Sequence, residues 1–160
     1  MSFKIIDNYL NIDEFLILKT IMESDSFPWF YNEIKVAKDK NLFHYQFCHN
    51  FYINDEVNSS YFNNLKSLIN KLKPLSLIRI KANLNPISHN LVEFTPHQDQ
   101  KFKCKIALFY INNNNGYTII DKEKINSKEN RMVLFSSDVA HYGTNSTDCK
   151  NRMVINFNYF

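Results

Sequence analysis

Glycine is almost missing from this chain: 160 residues contain 2. A glycine-rich loop that would cradle phosphate is therefore excluded. Cysteine is nearly as sparse. Cys48, Cys104 and Cys149 are odd in number, far apart and outside C-x-x-C spacing, which argues against a disulfide framework and against a zinc ribbon. Reduced thiols in an intracellular setting are the expectation. No apolar run approaches the ~20 residues of a membrane span. The opening Met1-Ser-Phe-Lys-Ile-Ile-Asp7 lacks the apolar centre of a secretion signal, so a soluble, cytoplasmic protein without a membrane partner is expected. Charge of one sign is also lacking. The net charge is +3, and no cluster of five or more Lys or Arg occurs, so a nucleic-acid partner is not indicated. No Ser-His-Asp arrangement offers itself as a nucleophilic site.

Hydrophobic residues at 44% and aromatic residues at 15% supply one core, and a chain of this length buries about 68 to 70% of its unfolded surface. A single domain over residues 1–160 is expected, with helical support over about 1–74 and a β core over about 75–160. Asn11-Ile-Asp13-Glu14 offers a cap before Phe15, Leu16, Leu18, Ile21 and Met22, whose spacing predicts a helix ending near Ser24. A second helix is predicted from about Ser59 to Leu72, with Pro74 as its stop. Between them lie the aromatic stretches 27–31 and 43–52, which read as strands or ordered loops packed near a core or a cleft, with Trp29, Tyr31, Tyr45 and Tyr52 mostly as packing. Strands are predicted near residues 77–84, 91–95, 103–111, 117–120, 131–135, 140–142 and 151–160. Asn115-Gly116 reads as a tight hairpin turn. Residues 29–40 and 55–60 are polar enough to be mobile. Helices ahead of many short strands point to a mainly β fold, a β-sandwich or jelly-roll barrel backed by helices.

The chemistry concentrates in His97-Gln98-Asp99, with His141 and Arg152 further on. An H-x-D triplet arises by chance roughly 0.3 times in a sequence of this composition, so the triplet alone decides little. Its setting adds weight: the triplet follows a short apolar stretch and Pro96, His141 follows a β-like run, and Arg152 opens the alternating run that ends the chain. Two imidazoles and a carboxylate can hold one face of a ferrous ion and leave three positions open. An arginine nearby supplies a permanently charged, planar partner for an acidic cosubstrate. His44, His49 and His89 are assigned to structure or surface.

These residues resemble the iron(II) and 2-oxoglutarate-dependent oxygenases with a double-stranded β-helix, or cupin-like jelly-roll, core. The prolyl-hydroxylase-like branch is the most similar. The resemblance rests on His97-Gln-Asp99, on Ala107-Leu-Phe-Tyr110-Ile-Asn112, and on His141-Tyr-Gly-Thr144 with Arg152 to Phe160. Weaker similarity, in Ile6 to Leu10 and Phe27-Pro-Trp29, is to small oxygenases of marine viruses. It implies that His97, Asp99 and His141 bind Fe(II) and are the catalytic set. Arg152 would then pair with the distal carboxylate of 2-oxoglutarate, Tyr110 would help hold that carboxylate, and Asn83 would reach the cosubstrate. It further implies dioxygen as cosubstrate, with ascorbate as a further candidate cofactor, and release of succinate and carbon dioxide. An N–H or O–H partner for the outer nitrogen of each histidine is expected. The implied activity is hydroxylation of a C–H bond, a peptidyl proline being the leading substrate, within a wider class of peptide, protein or small-molecule substrates. No second arginine follows Arg152, which weighs against a nucleic-acid demethylase. The rival reading is a cupin-like barrel that binds a metal or small ligand without oxygen chemistry.

Overall fold

In the computed structural model, residues 2–33, 35 and 41–160 are described. The chain order is β1 (Phe3–Ile6), α1 (Ile12–Glu23), β2 (Phe30–Asn32), β3 (Gln46–Ile53), β4 (Glu56–Val57), a 3-10 segment (Ser60–Leu65) running into α2 (Lys66–Leu72), then β5 (Leu77–Pro86), β6 (Lys105–Tyr110), β7 (Tyr117–Ile120), β8 (Glu123–Asn126), β9 (Arg131–Ser136), β10 (His141–Gly143) and β11 (Asn151–Tyr159). Of the stretch expected to be mobile at 29–40, residues 34 and 36–40 lie outside the described residues.

The first helix forms where its cap predicts. The Asn11 side chain accepts a hydrogen bond from the Asp13 N–H, Asp13 and Glu14 sit in the positive first turn, and Phe15, Leu18 and Met22 share the buried face. The second predicted helix is tighter over its first half. Ser59 caps a 3-10 segment, and only Lys66–Leu72 is α-helical before Lys73 turns left-handed ahead of Pro74.

Eight strands build a large antiparallel sheet in the order β1-β9-β6-β11-β5-β3-β2, with β4 on β3, and three form a small sheet in the order β10-β7-β8. Strand alternation sorts the large sheet into two faces. On β11, Met153, Ile155, Phe157 and Tyr159 join Ile80 and Ala82 of β5, Ala107 and Phe109 of β6, and the apolar faces of α1 and α2 in one core. The opposite face carries Arg152, Val154 and Asn156 of β11 with Arg79, Lys81, Asn83 and Asn85 of β5, all lining a cavity. The small sheet lies on that side, contributing Thr118, His141 and Gly143 to the same lining.

Three sequence expectations need correction. The N-terminal half is more than helical support, because β1 pairs with β9 and β3 pairs with β5 inside the large sheet. Residues 91–95 form no strand; Glu93 makes one isolated bridge, to Thr144. Asn115-Gly116 is not a hairpin turn either. Neither residue has positive φ, and the strands it joins, β6 and β7, lie in different sheets. The tight hairpin falls one strand later, between β7 and β8, where Asp121 and Lys122 adopt φ of 51° and 67°. That is the left-handed pair a two-residue connection requires, achieved without glycine. Among the described residues, no helix is long and apolar enough to cross a membrane.

Phe109 ties the two layers together. It is fully buried, and its ring meets those of Tyr9 at 6.2 Å and Phe15 at 6.1 Å. Phe109→Ala is expected to cost about 3–5 kcal/mol in urea unfolding. A loss below about 1 kcal/mol would show that α1 does not depend on this contact.

Candidate metal centre

His97 and His141 face one another across a reciprocal backbone pair. Each N–H donates to the other's carbonyl at 3.0 Å. Hydrogen-bonded antiparallel pairs of this kind hold two Cα atoms about 5.5 Å apart, so residues distant in sequence present their imidazoles side by side, with ring centroids 4.7 Å apart. Asp99, two residues beyond His97, completes the set. Its Oδ1 is 3.6 Å from His97 Nε2 and 4.0 Å from His141 Nε2. One ligand atom from each of the three residues lies within 4.8 Å of the others.

The surroundings of each donor leave the ligand atom free. His97 Nδ1 is 3.0 Å from the Thr95 carbonyl and His141 Nδ1 is 3.4 Å from the Val139 carbonyl. A carbonyl only accepts, so each Nδ1 carries a proton, and in the neutral ring it is Nε2 that holds the lone pair. The partners of the outer nitrogens are thus backbone acceptors rather than the N–H or O–H groups expected. The other Asp99 oxygen, Oδ2, accepts from Asn156 Nδ2 at 2.7 Å and from Asn158 Nδ2 at 3.1 Å. Asn158 Nδ2 also donates to Asn156 Oδ1, and Gln100 Nε2 donates to Asn158 Oδ1, so the amides holding the carboxylate are themselves held.

Protonation states follow from the same geometry. Burial pushes the Asp99 carboxyl upward, but His141, Arg79 and the Asn156 hydrogen bond outweigh it, and the group stays below the ordinary carboxylate range. Burial lowers His141 to about 4 against the opposing pull of Asp99. The neighbourhood of neutral pH therefore finds an anionic carboxylate beside a neutral imidazole, the forms a metal needs.

Arg152 lies in the wall of the same cavity, which has a volume of about 340 Å³. It is 4% exposed, and all its hydrogen bonds go to neutral oxygens: Nε to Ser127 Oγ at 2.8 Å, Nη1 to the Thr144 carbonyl at 3.3 Å, and Nη2 to Thr118 Oγ1 at 2.8 Å. Among the described residues no carboxylate pairs with it. Tyr110 is fully buried and does not line the cavity; its hydroxyl donates to Thr118 Oγ1 at 2.7 Å, and the Arg152 guanidinium lies 5.5 Å from its ring centre. Thr118 accepts from both Tyr110 and Arg152, so its own proton is left to be donated toward the cavity it lines. Asn83 lines the cavity, and its buried Oδ1 has no hydrogen-bond partner.

Both glycines of the chain abut Arg152. A Cβ at Gly116 would lie 2.6 Å from Arg152 Cδ and 2.4 Å from the Asn145 carbonyl oxygen. A Cβ at Gly143 would lie 3.3 Å from Arg152 Nη1. Close approach, not a special φ, requires glycine at 116, whereas a side chain at 143 would press the guanidinium by only a few tenths of an ångström.

No protein-family sequence model and no characterised sequence matches the chain significantly. Solved structures do match. A prolyl hydroxylase from Trichoplax adhaerens, solved with a peptide fragment of the hypoxia-inducible factor oxygen degradation domain, aligns over 99% of this chain and 83% of its own, with a TM-score of 0.70 at 16% identity. A Pseudomonas putida prolyl-4-hydroxylase aligns over 99% of this chain and 92% of its own, with a TM-score of 0.61 at 10% identity. The non-heme α-ketoglutarate-dependent epimerase SnoN from nogalamycin biosynthesis aligns over 99% of this chain and 77% of its own, with a TM-score of 0.64 at 10% identity. The chain has the 2-oxoglutarate oxygenase fold. That fold is the mainly β jelly roll with N-terminal helices that the residues predict.

The donor set fits ferrous iron: two imidazoles and a carboxylate oxygen, each with its ligand atom left open by the bonds on its other side. Sequence reasoning missed the residues that hold and surround this set, namely Asn156, Asn158, Thr118, Arg79 and Lys81. A signal existed for the first two, since polar residues at the inward positions of an otherwise apolar alternating strand need partners.

His141→Ala is expected to abolish Fe(II) binding in an anaerobic titration, and Asn158→Ala to weaken it by about 10- to 100-fold, as loss of a carboxylate's outer partner typically does. Unchanged affinity in His141→Ala would remove His141 from the ligand set.

Proposed function

We propose that this protein is an Fe(II)- and 2-oxoglutarate-dependent dioxygenase that hydroxylates a C–H bond, with a peptidyl proline as the leading substrate. The single observation that carries the reading is the pairing, in one cavity, of an open His-Asp-His set with a buried guanidinium that has no anion of its own. Burying a lone charge costs several kcal/mol unless a partner arrives. A dicarboxylate supplies that partner at one end and a chelating keto acid for the metal at the other.

In this reading His97, Asp99 and His141 hold Fe(II). Arg152 takes the distal carboxylate of 2-oxoglutarate, assisted by the Thr118 hydroxyl, while Tyr110 fixes Thr118 and stacks beside the guanidinium. Asn83, with its unpartnered Oδ1, faces the cosubstrate from β5. Bound iron supplies activation of dioxygen: one oxygen atom enters the substrate C–H bond and the other enters succinate, as 2-oxoglutarate loses carbon dioxide. The protein's part is to orient and to exclude water, with Leu108, Val154 and Phe94 as the apolar portion of the wall. The prolyl substrate is supported by the two prolyl hydroxylases that share the fold. A barrel that only binds metal has no use for an unpaired buried guanidinium, which favours the enzyme over that alternative.

The test is an anaerobic titration of the apoprotein with Fe(II) and 2-oxoglutarate. A visible charge-transfer band is expected when the keto acid chelates the iron, and it should vanish in His97→Ala. Iron binding without the band would favour the metal-binding barrel. Arg152→Ala is expected to raise the 2-oxoglutarate dissociation constant by at least about tenfold, the low end for losing a buried Arg-carboxylate pair, and to spare iron binding. A change under about threefold would make Arg152 structural.

A further inference from the structure

Arg152 does not account for all the positive charge of the cavity. Lys35, bonded to the Asn85 amide, lines it as well, and so do Arg79 and Lys81, with Asp99 the only carboxylate among its described lining residues. Both cations sit on the inward face of β5, two residues apart, so they point the same way. The nearest anionic atom to Arg79 is Asp99 Oδ1, 3.4 Å from Nη2. That oxygen is the one left open for iron, while Oδ2 is saturated by Asn156 and Asn158. The Arg79 Nε is buried and has no hydrogen-bond partner. Lys81 has no carboxylate partner among the described residues, and burial together with the Arg79 charge holds its ammonium below the ordinary lysine range.

The cosubstrate leaves these two groups unanswered. In the register of β5 with β11, Arg152 stands opposite Asn85, whereas Lys81 stands opposite Asn156 and Arg79 opposite Asn158. Four residues of strand separate Asn85 from Lys81, about 13 Å at the usual rise. A carboxylate anchored at Arg152 lies at the other end of the cavity. The cations beside Asp99 face the part where a substrate would be presented to the metal.

We propose that Arg79 and Lys81 form a substrate subsite that binds an anionic group, a carboxylate or a phosphate, next to the carbon to be oxidised. The inference rests on the oxygenase reading and narrows its substrate class. Two cations side by side on one strand face, in a cavity whose single carboxylate is metal-committed, favour an anion over any neutral group, and the Arg79 Nε is a donor with no existing bond. A prolyl substrate would carry the anion on the residue itself or on its immediate neighbour.

The experiment loads the protein anaerobically with Fe(II) and saturating 2-oxoglutarate and follows perturbation of the visible band by matched probes. N-acetyl-L-proline is compared with N-acetyl-L-prolinamide, and N-acetyl-O-phospho-L-serinamide with N-acetyl-L-serinamide. One anion is expected to bind at least about tenfold tighter than its neutral partner, and the pair that shows the preference tells carboxylate from phosphate. Lys81→Gln and Arg79→Gln should each bring that ratio to within about threefold while binding of the neutral partner changes little. Absence of preference in both pairs, or a preference unchanged in both variants, overturns the subsite. Weakened 2-oxoglutarate binding in the variants with the probe preference intact also overturns it, by assigning the cations to the cosubstrate's own 1-carboxylate. Failure of the band in the parent protein is a different result: it overturns the oxygenase reading and takes the subsite with it.

Discussion

The register of β11 is the constraint on which the rest of the molecule depends. Its odd positions, from Met153 to Tyr159, fill the core under the helices, while its even positions carry Arg152 into the cavity and Asn156 and Asn158 to Asp99. A slip of one residue would bury Arg152 and two amides in an apolar core and expose four large side chains. Hydrophobic patterning thus positions the polar chemistry. The central place of β11, hydrogen-bonded to β5 on one side and β6 on the other, gives that register no freedom to drift.

Around this strand the electrostatics are arranged at a distance from their ligands. The imidazoles are oriented from behind by carbonyls, the carboxylate by two amides, and the guanidinium by hydroxyls and a carbonyl. The imidazoles and the carboxylate each keep an inner atom open, while the guanidinium, bonded at every nitrogen to a neutral oxygen, keeps its charge unpaired. An arrangement made only for stability would pair Arg152 with a carboxylate, since an unpaired buried charge is destabilising. Here the charge is kept available, and the apolar face of the same sheet offsets its cost through residues such as Phe109 and Phe157, both fully buried.

Much of this was legible in the sequence because it rests on local rules. The cap at Asn11, the alternation of residues 151–160 and the short H-x-D spacing each express one period or one chemical group. What escaped was non-local. The run Asn112 to Asn115 looks like a hairpin because Asn-Gly favours left-handed turns, yet Gly116 is needed for a different reason: the Arg152 side chain passes where a Cβ would be. The reciprocal bridge between His97 and His141 likewise joins segments whose pairing no local pattern announces. Strand β1 escaped for the same cause. β1 is four residues long with an exposed middle, and only its partner β9 makes it a strand.

The fold does not choose the reaction. The structures that share it include prolyl hydroxylases and an epimerase, so the choice lies in side chains that the common framework leaves variable. In the proposed reading the metal ligands face inward at fixed places and the cosubstrate cation lies within reach of them. Strand β5 is under no such demand except at Asn83, which faces the proposed cosubstrate. Its inward face has only to avoid clashing with what is bound, and in this chain that face carries Arg79, Lys81, Asn83 and Asn85 without a single apolar residue. Four polar inward positions in succession on a central strand, two of them cationic, forgo burial that Ile or Val at the same places would supply. Such a strand is stable in this sheet because Ile80 and Ala82 on its reverse face lie in the main core. The inward face is therefore free to be set by its ligand, and its charge is what an anion would match.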